Sequence, residues 1–217
     1  HTPGGGTTAT ESIIKYLRKI FNSDIRVIVP HMAMSAGTMI ACASKEIIMG
    51  KQSSLGPIDT QYRGVPAEGV LAEFKRATEE TINEPNKSLI WKEIINKYTP
   101  TFIGECENAV KLSKKIVSES LKSGMFKNLD EEESDKRVDK ILGELGSHEA
   151  SMVHDKHYDS DTCKELGLNV KSLESDQELQ DIVLSIHHLY FISTYKQPSI
   201  KYIESNNDMV WVISGNR

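Results

Sequence analysis

Residues 25–43, IRVIVPHMAMSAGTMIACA, decide how we expect this chain to fold. The apolar run at residues 25–29 is typical of a short strand buried in a sheet, and residues 30–33 form a turn that ends it. Residues 35–43 then read as a helix of small side chains. Ser35 therefore stands between a buried strand and a helix, where a serine acts either as an exposed nucleophile or as an ordinary N-cap.

The flanking segments continue the alternation of helix and strand. A glycine-rich loop at residues 2–6 precedes an amphipathic helical pattern at residues 13–21. A second buried strand is predicted at residues 46–49, and residues 53–57 form another loop. This order predicts an α/β fold with a mostly parallel sheet.

After residue 66 the pattern is mainly helical. Helices are predicted around residues 70–74, 89–98, 105–122, 130–140, 161–166 and 179–190. A terminal hairpin is predicted from residues 200–203 and 209–213, joined by the turn residues 206–208.

Composition limits the class of protein. The chain has 217 residues, of which 38% are hydrophobic and 26% charged, as in a globular domain with or without an appendage. A net charge of −5 gives no basic footprint for nucleic acid. Three widely spaced cysteines favour a reducing, cytoplasmic compartment. Because the chain opens at His1 inside a turn, we expect N-terminal strands to be missing, and a membrane association through such a segment is compatible with the sequence.

A second loop, residues 3–5, is suited to the same chemistry as Ser35. The backbone amide of Ala36 is placed to stabilise an oxyanion that forms when Ser35 attacks a carbonyl. Glycine is needed where backbone approaches a substrate closely, so the loop of residues 3–5 is a candidate for a second donor through the amides of Gly4 and Gly5.

Three ordered motifs together resemble a known family. They are HTPGG at residues 1–5, VPHMAMSAGT at residues 29–38 and SLGPID at residues 54–59. The combination resembles the serine dehydrogenase proteinases, which are relatives of signal peptide peptidase A and the Clp proteases. HYDS at residues 157–160 and LGL at residues 166–168 extend the resemblance over roughly residues 2–173.

The resemblance implies a ClpP/crotonase-like spiral of ββα units in residues 1–173, with residues 174–217 as a helix and hairpin extension. It also implies an ATP-independent serine endopeptidase that forms an acyl-enzyme through Ser35, with the amides of Gly5 and Ala36 as the oxyanion hole. The partners implied are a peptide or protein substrate and further copies of the chain in a homo-oligomer. No cofactor or metal is expected.

The general base is not evident from the sequence. Clp proteases carry a histidine about 25 residues after the serine, whereas residues 57–61 here read PIDTQ, which disfavours a triad on that pattern. When this chain is aligned with the signal peptide peptidases, the catalytic lysine of those enzymes corresponds to Lys75. A lysine base must be buried beside apolar groups to titrate near pH 7, and Leu71 and Phe74 are candidates for that shell. Lesser alternatives are Lys51, Lys87 and Lys92, and a histidine base, such as His31 or His148, also stays open.

The histidines are interpreted as structural. His31, His148, His154 and His157 are assigned hydrogen-bonding roles, because no pair of carboxylates at metal-ligand spacing accompanies them. The pair at residues 187–188 lies in an apolar helical pattern and is interpreted as packing.

Two other hypotheses stay open from the sequence. A crotonase-type enzyme would hold an acyl-CoA thioester enolate with the same amides and would not need Ser35. An inactive scaffold would keep the assembly and lack the base. An α/β-hydrolase fits less well, because its signature has glycine where this chain has Ala33.

Overall fold

The computed structural model of the chain describes residues 1–151, 153–196 and 199–215. In its first part, two pairs of short strands precede and follow a short helix. The elements are α1 (Thr7–Phe21), β1 (Arg26–Val29), β2 (Met32–Ala33), α2 (Ala36–Cys42), β3 (Glu46–Met49) and β4 (Ser54–Leu55).

Two parallel layers of strands organise this part. In the first layer β1 pairs with β3, and β7 (Val170–Ser172) pairs with the other edge of β3. In the second layer β2 pairs with β4, and Thr2 forms a further parallel bridge to Ala33. The chain therefore runs from the first layer to the second twice, once from β1 to β2 and once from β3 to β4. The helix α2 connects β2 to β3.

The remaining elements are mostly helices. The first is a hairpin of β5 (Gln61–Tyr62) and β6 (Val65–Pro66). It is followed by the helices α3 (Ala67–Asn83), α4 (Ser88–Ile95), α5 (Phe102–Ser123), α6 (Glu131–Leu145), α7 (His148–Ser151) and α8 (Ser160–Glu165). After β7 come α9 (Gln177–Lys196), β8 (Ser199–Glu204) and β9 (Val210–Ser214). Short 3-10 turns occupy Pro85–Lys87 and Leu173–Ser175.

The main core lies between α2, β3, α5 and α6. Ile47 and Met49 of β3 and Val117 and Leu121 of α5 are essentially inaccessible to solvent. All four residues of β3 are buried, as expected for a central strand of a parallel sheet covered on both faces. This core fixes β3 and α2, and therefore the turn between β2 and α2 that carries Ser35.

The mixed α/β class predicted from the sequence is confirmed, whereas the full spiral of ββα units stays a prediction. Two local predictions were wrong. Residues 30–33 are not only a turn, because Met32 and Ala33 pair as β2, and residues 53–57 are not only a loop, because Ser54 and Leu55 form β4. Two-residue strands are too short to produce a period-2 pattern, so only their pairing reveals them.

The predicted terminal hairpin is present, with β8 antiparallel to β9. None of the helices within the described ranges combines the length and the apolar character that a membrane crossing requires.

Candidate active site

Ser35 occupies a sharp turn between β2 and α2. Its backbone has φ 50° and ψ −110°, a conformation that a non-glycine residue adopts at a cost of about 1–3 kcal/mol, and such residues cluster at functional sites. The side chain is partly exposed, while Met34 before it and Ala36 after it are buried. The turn therefore presents the hydroxyl of Ser35 at the surface and anchors it on both sides.

Close packing around the turn explains its small residues. A Cβ on Gly37 would lie 2.4 Å from the Cγ2 of Thr2 and 3.2 Å from the Cβ of Ala33. A Cβ on Gly56 would lie 3.1 Å from the Cα of Met34. Any larger residue at either glycine would push apart the segments that meet beneath Ser35.

Thr38 fastens the turn to the segment that follows β4. Its side chain is fully buried, and its hydroxyl lies 2.8 Å from the carbonyl oxygens of both Ala33 and Gly56. The same hydroxyl accepts a hydrogen bond of 3.1 Å from the amide of Gly56. Gly56 is thereby held directly beside the serine turn.

The loop at residues 3–5 crosses over Ser35. The amide of Thr2 donates to the carbonyl of Met32, and the amide of Met34 donates to the carbonyl of Thr2, both at 3.0 Å. The Cβ position of Gly5 is 4.0 Å from the Cβ of Ala36. In the described part of the chain neither the Gly5 amide nor the Ala36 amide has an acceptor. Both donors are therefore available to an oxyanion, a role that stays a prediction.

A second pair of polar residues lies on the segments that follow β4 and α7. Asp59 is 2% exposed, and its Oδ1 is 2.6 Å from the Nδ1 of His154. The side chain of His154 is about one-third exposed. Gln61 also donates to Asp59, at 3.3 Å, so hydrogen bonds stabilise the buried carboxylate. The pair has the arrangement in which a carboxylate orients an imidazole through Nδ1 and leaves Nε2 for proton transfer.

Strand pairing brings His154 to this place. Leu55 and Tyr158 form an antiparallel bridge with both hydrogen bonds at 2.9 Å, which lays residues 154–158 along residues 55–59. His157 lies on the same segment, with its Nδ1 2.7 Å from the Oγ of Ser54. Asp59 is three residues beyond Gly56, a span of at most about 10 Å. Gly56 packs on Met34, so the segment that leads to Asp59 starts at the serine turn.

The sequence interpretation missed this pair. It sought a histidine about 25 residues after Ser35 and found none, although Asp59 stands in that place. It then assigned His154 a structural role, because no pair of carboxylates at metal-ligand spacing accompanies it. The available signal was the combination of an acid in the SLGPID motif with a distant histidine, and 95 residues separate the two.

Lys75 has different surroundings from those expected of a base. Its side chain is 79% exposed, and its Nζ lies 4.0 Å from a carboxylate oxygen of Glu79 on the same helix. Leu71 and Phe74 pack instead on the cluster that joins α3 to α5. Within the described residues, no apolar cluster packs around the side chain of Lys75. The Ser35–Lys75 dyad stays a prediction, and the exposed surroundings of Lys75 do not support it.

The other predicted candidates lie elsewhere. His31 stacks on His1, with ring centroids 5.1 Å apart. The side chain of His148 lies outside the described residues. The three cysteines are free and buried, and burial raises the pKa of Cys42 and of Cys163 to about 12. Neither of these two thiols is suited to act as a nucleophile at neutral pH.

The fold and this site define an α/β protein with a strained serine beneath a glycine loop. The sequence matches the family described as ClpP-like SDH-type serine proteinase over residues 1–209, and the chain belongs to that family. The family resemblance seen in the three motifs is thus confirmed.

Two uncharacterized proteins of Methanocaldococcus jannaschii are similar to the chain. One is 32% identical over 91% of this chain and 57% of its own length, and the other is 31% identical over 94% and 59%. The chain therefore spans somewhat more than half the length of these relatives. No solved structure matches it significantly.

Proposed function

We propose that this chain is the catalytic part of an ATP-independent serine endopeptidase, with Ser35 as nucleophile and His154 as its base. The observation that carries the proposal is the position of the Pro3–Gly5 segment over a serine in a strained turn. The Asp59–His154 hydrogen bond supplies the candidate base. Membership of a serine proteinase family supports it.

The first step is acylation. The Oγ of Ser35 attacks the carbonyl carbon of the scissile peptide bond, and its proton passes to Nε2 of His154. Asp59 holds Nδ1–H of that ring and stabilises the imidazolium that forms. The oxyanion accepts hydrogen bonds from the amides of Gly5 and Ala36. His154 then gives its proton to the leaving amine as the C–N bond breaks.

Deacylation repeats the sequence with water as the nucleophile. His154 takes a proton from the water, the hydroxide attacks the ester carbonyl, and Ser35 leaves with that proton. The proposal requires Nε2 of His154 to come within about 2.6–3.2 Å of the Ser35 hydroxyl when substrate is bound.

Covalent labelling of the whole chain tests the nucleophile. We expect a fluorophosphonate to form one adduct on Ser35, located by mass spectrometry, and Ser35→Ala to abolish both the adduct and peptide hydrolysis. Ser12→Ala is the matched control, because Ser12 is an exposed helical serine whose hydroxyl bonds only the carbonyl of Thr8.

Other outcomes would favour the other hypotheses. An adduct on a different serine, or unchanged turnover in Ser35→Ala, would overturn the peptidase proposal. Stoichiometric binding of an acyl-CoA thioester without labelling would favour the crotonase-type enzyme. A folded chain with neither property would be the inactive scaffold.

Assembly into a homo-oligomer is also part of the proposal. The exposed surface of α9 and of the hairpin β8–β9 is rich in large apolar side chains, and apolar patches of this kind mark interfaces. Among them are Leu189, Phe191, Tyr195, Met209 and Trp211. Light scattering after size exclusion should show more than one copy, and Leu189→Asp with Trp211→Asp should reduce that number.

A further inference from the structure

Three histidines from distant parts of the chain meet at one point of the structure. His1 precedes the strand residue Thr2, His31 precedes β2, and His187 lies in the middle of α9. The ring centroids are 5.1 Å apart for His1 and His31, 5.3 Å for His1 and His187, and 5.9 Å for His31 and His187. We call this group the histidine trio.

The spacing of the trio is close to that of metal ligands. One ring nitrogen from each histidine lies within 4.8 Å of the corresponding nitrogen of the other two. A tetrahedral ion with bonds of about 2.0–2.1 Å needs ligand nitrogens about 3.3 Å apart. The rings therefore have to close by at most about 1.5 Å. His1 and His31 are exposed, so side-chain rotation alone provides that movement.

The ring nitrogens of the trio are available for coordination. Across the described residues none of these three rings takes part in a hydrogen bond or ion pair, whereas His154 and His157 are each bound to a protein oxygen.

We propose that His1, His31 and His187 together bind a divalent transition metal, with Zn²⁺ as the ion best suited to three imidazoles and one open position. Imidazole prefers zinc, copper and nickel over the hard cations magnesium and calcium. This assignment is independent of the proposed peptidase activity.

The metal would fasten α9 to the layer of strands that carries the nucleophile. Within its described residues α9 has no buried side chain, so apolar burial in this chain holds it weakly. His31 lies on the loop between β1 and β2, and His1 adjoins the Thr2–Ala33 bridge. An ion held by all three rings would link the C-terminal helix to both segments. The sequence interpretation of residues 187–188 as packing residues did not anticipate this contact.

Metal titration of the whole chain tests the site, with a residue or more added before His1 so that no free α-amine lies beside the ring. We expect one Co²⁺ per chain, with the visible bands of a tetrahedral site, and its displacement by one Zn²⁺. His187→Ala and His31→Ala should weaken Zn²⁺ binding by at least about 100-fold, since loss of an outer partner of a ligand alone costs 10–100-fold. His188→Ala is the matched control, because it is the next residue of α9 and lies outside the trio.

A second measurement tests whether the bound Zn²⁺ stabilises the folded chain. Excess Zn²⁺ should raise the melting temperature of the parent chain and of His188→Ala, but not that of His187→Ala. It should also slow proteolytic cleavage in α9 in the same two proteins. The absence of stoichiometric binding, or equal affinity in the parent and His187→Ala, would overturn the assignment.

Discussion

A Cβ atom on Gly4 would lie 3.0 Å from the Cβ of Ser35 and 3.6 Å from its Oγ. It would also lie 3.2 Å from the carbonyl oxygen of Met34. Gly4 has φ 118°, a conformation that side chains disfavour irrespective of space. Two separate reasons therefore require glycine at this position, and both concern the fit of the loop over the serine.

Gly4→Ala should consequently lower kcat/KM on the order of 100-fold, because it displaces the loop that carries the Gly5 amide. Gly6→Ala is the matched control, since its Cβ would meet nothing within 4 Å and its φ is −73°. Steady-state kinetics and circular dichroism of both variants check this. Equal activity of Gly4→Ala and the parent would contradict a role for the loop in the oxyanion hole.

The identity of the base is open to a direct comparison of variants. Asp59→Asn should reduce kcat by about 10⁴-fold, as expected when the imidazole is held in the wrong tautomer, and His154→Ala should reduce it at least as much. Lys75→Ala should change it little, since the side chain is exposed. Rates of fluorophosphonate labelling should follow the same order. The reverse pattern, with Lys75→Ala inactive and His154→Ala active, would restore the lysine dyad.

Thr38→Val should destabilise the fold by about 1–3 kcal/mol, because it removes the hydroxyl that donates to the buried carbonyl of Gly56. Urea unfolding measures the change. Thr78→Val is the control: its hydroxyl bonds the carbonyl of Phe74 on the surface of α3, and its effect should stay within about 0.5 kcal/mol. If both variants are equally stable, Thr38 does not hold the serine turn.

Cys42 and Cys163 should react slowly with a thiol reagent in the native chain and rapidly in denaturant, because both are buried. Burial raises the pKa of each from 9.0 to about 12. A raised folded pKa gives a contribution to stability that is complete below pH 9 and is lost as pH rises toward 12. Urea midpoints measured between pH 8 and 11 should therefore fall, and less steeply in Cys42→Ala. Fast labelling of the native chain would contradict this burial.

Much of the first strand layer and of the helices was predictable from sequence. β1 and β3 are continuous apolar runs, and α5 shows a helical repeat over many turns, so their own residues carry the signal. The strand β7 has three residues between a glycine-containing turn and a 3-10 turn, and β2 and β4 have two each. Such strands exist because a neighbouring strand offers hydrogen bonds, which no local pattern records.

The sequence by itself determined the class of fold, the family and the serine at position 35, because each depends on residues that are neighbours along the chain. The tertiary structure decided which residues from distant parts of the chain meet. Asp59 and His154 meet because Tyr158 pairs with Leu55, and His187 reaches His1 and His31 because α9 returns to the start of the second strand layer. Contacts over such distances depend on strand pairing and helix docking, whose free energy comes from the whole core rather than from the spacing of the residues that meet.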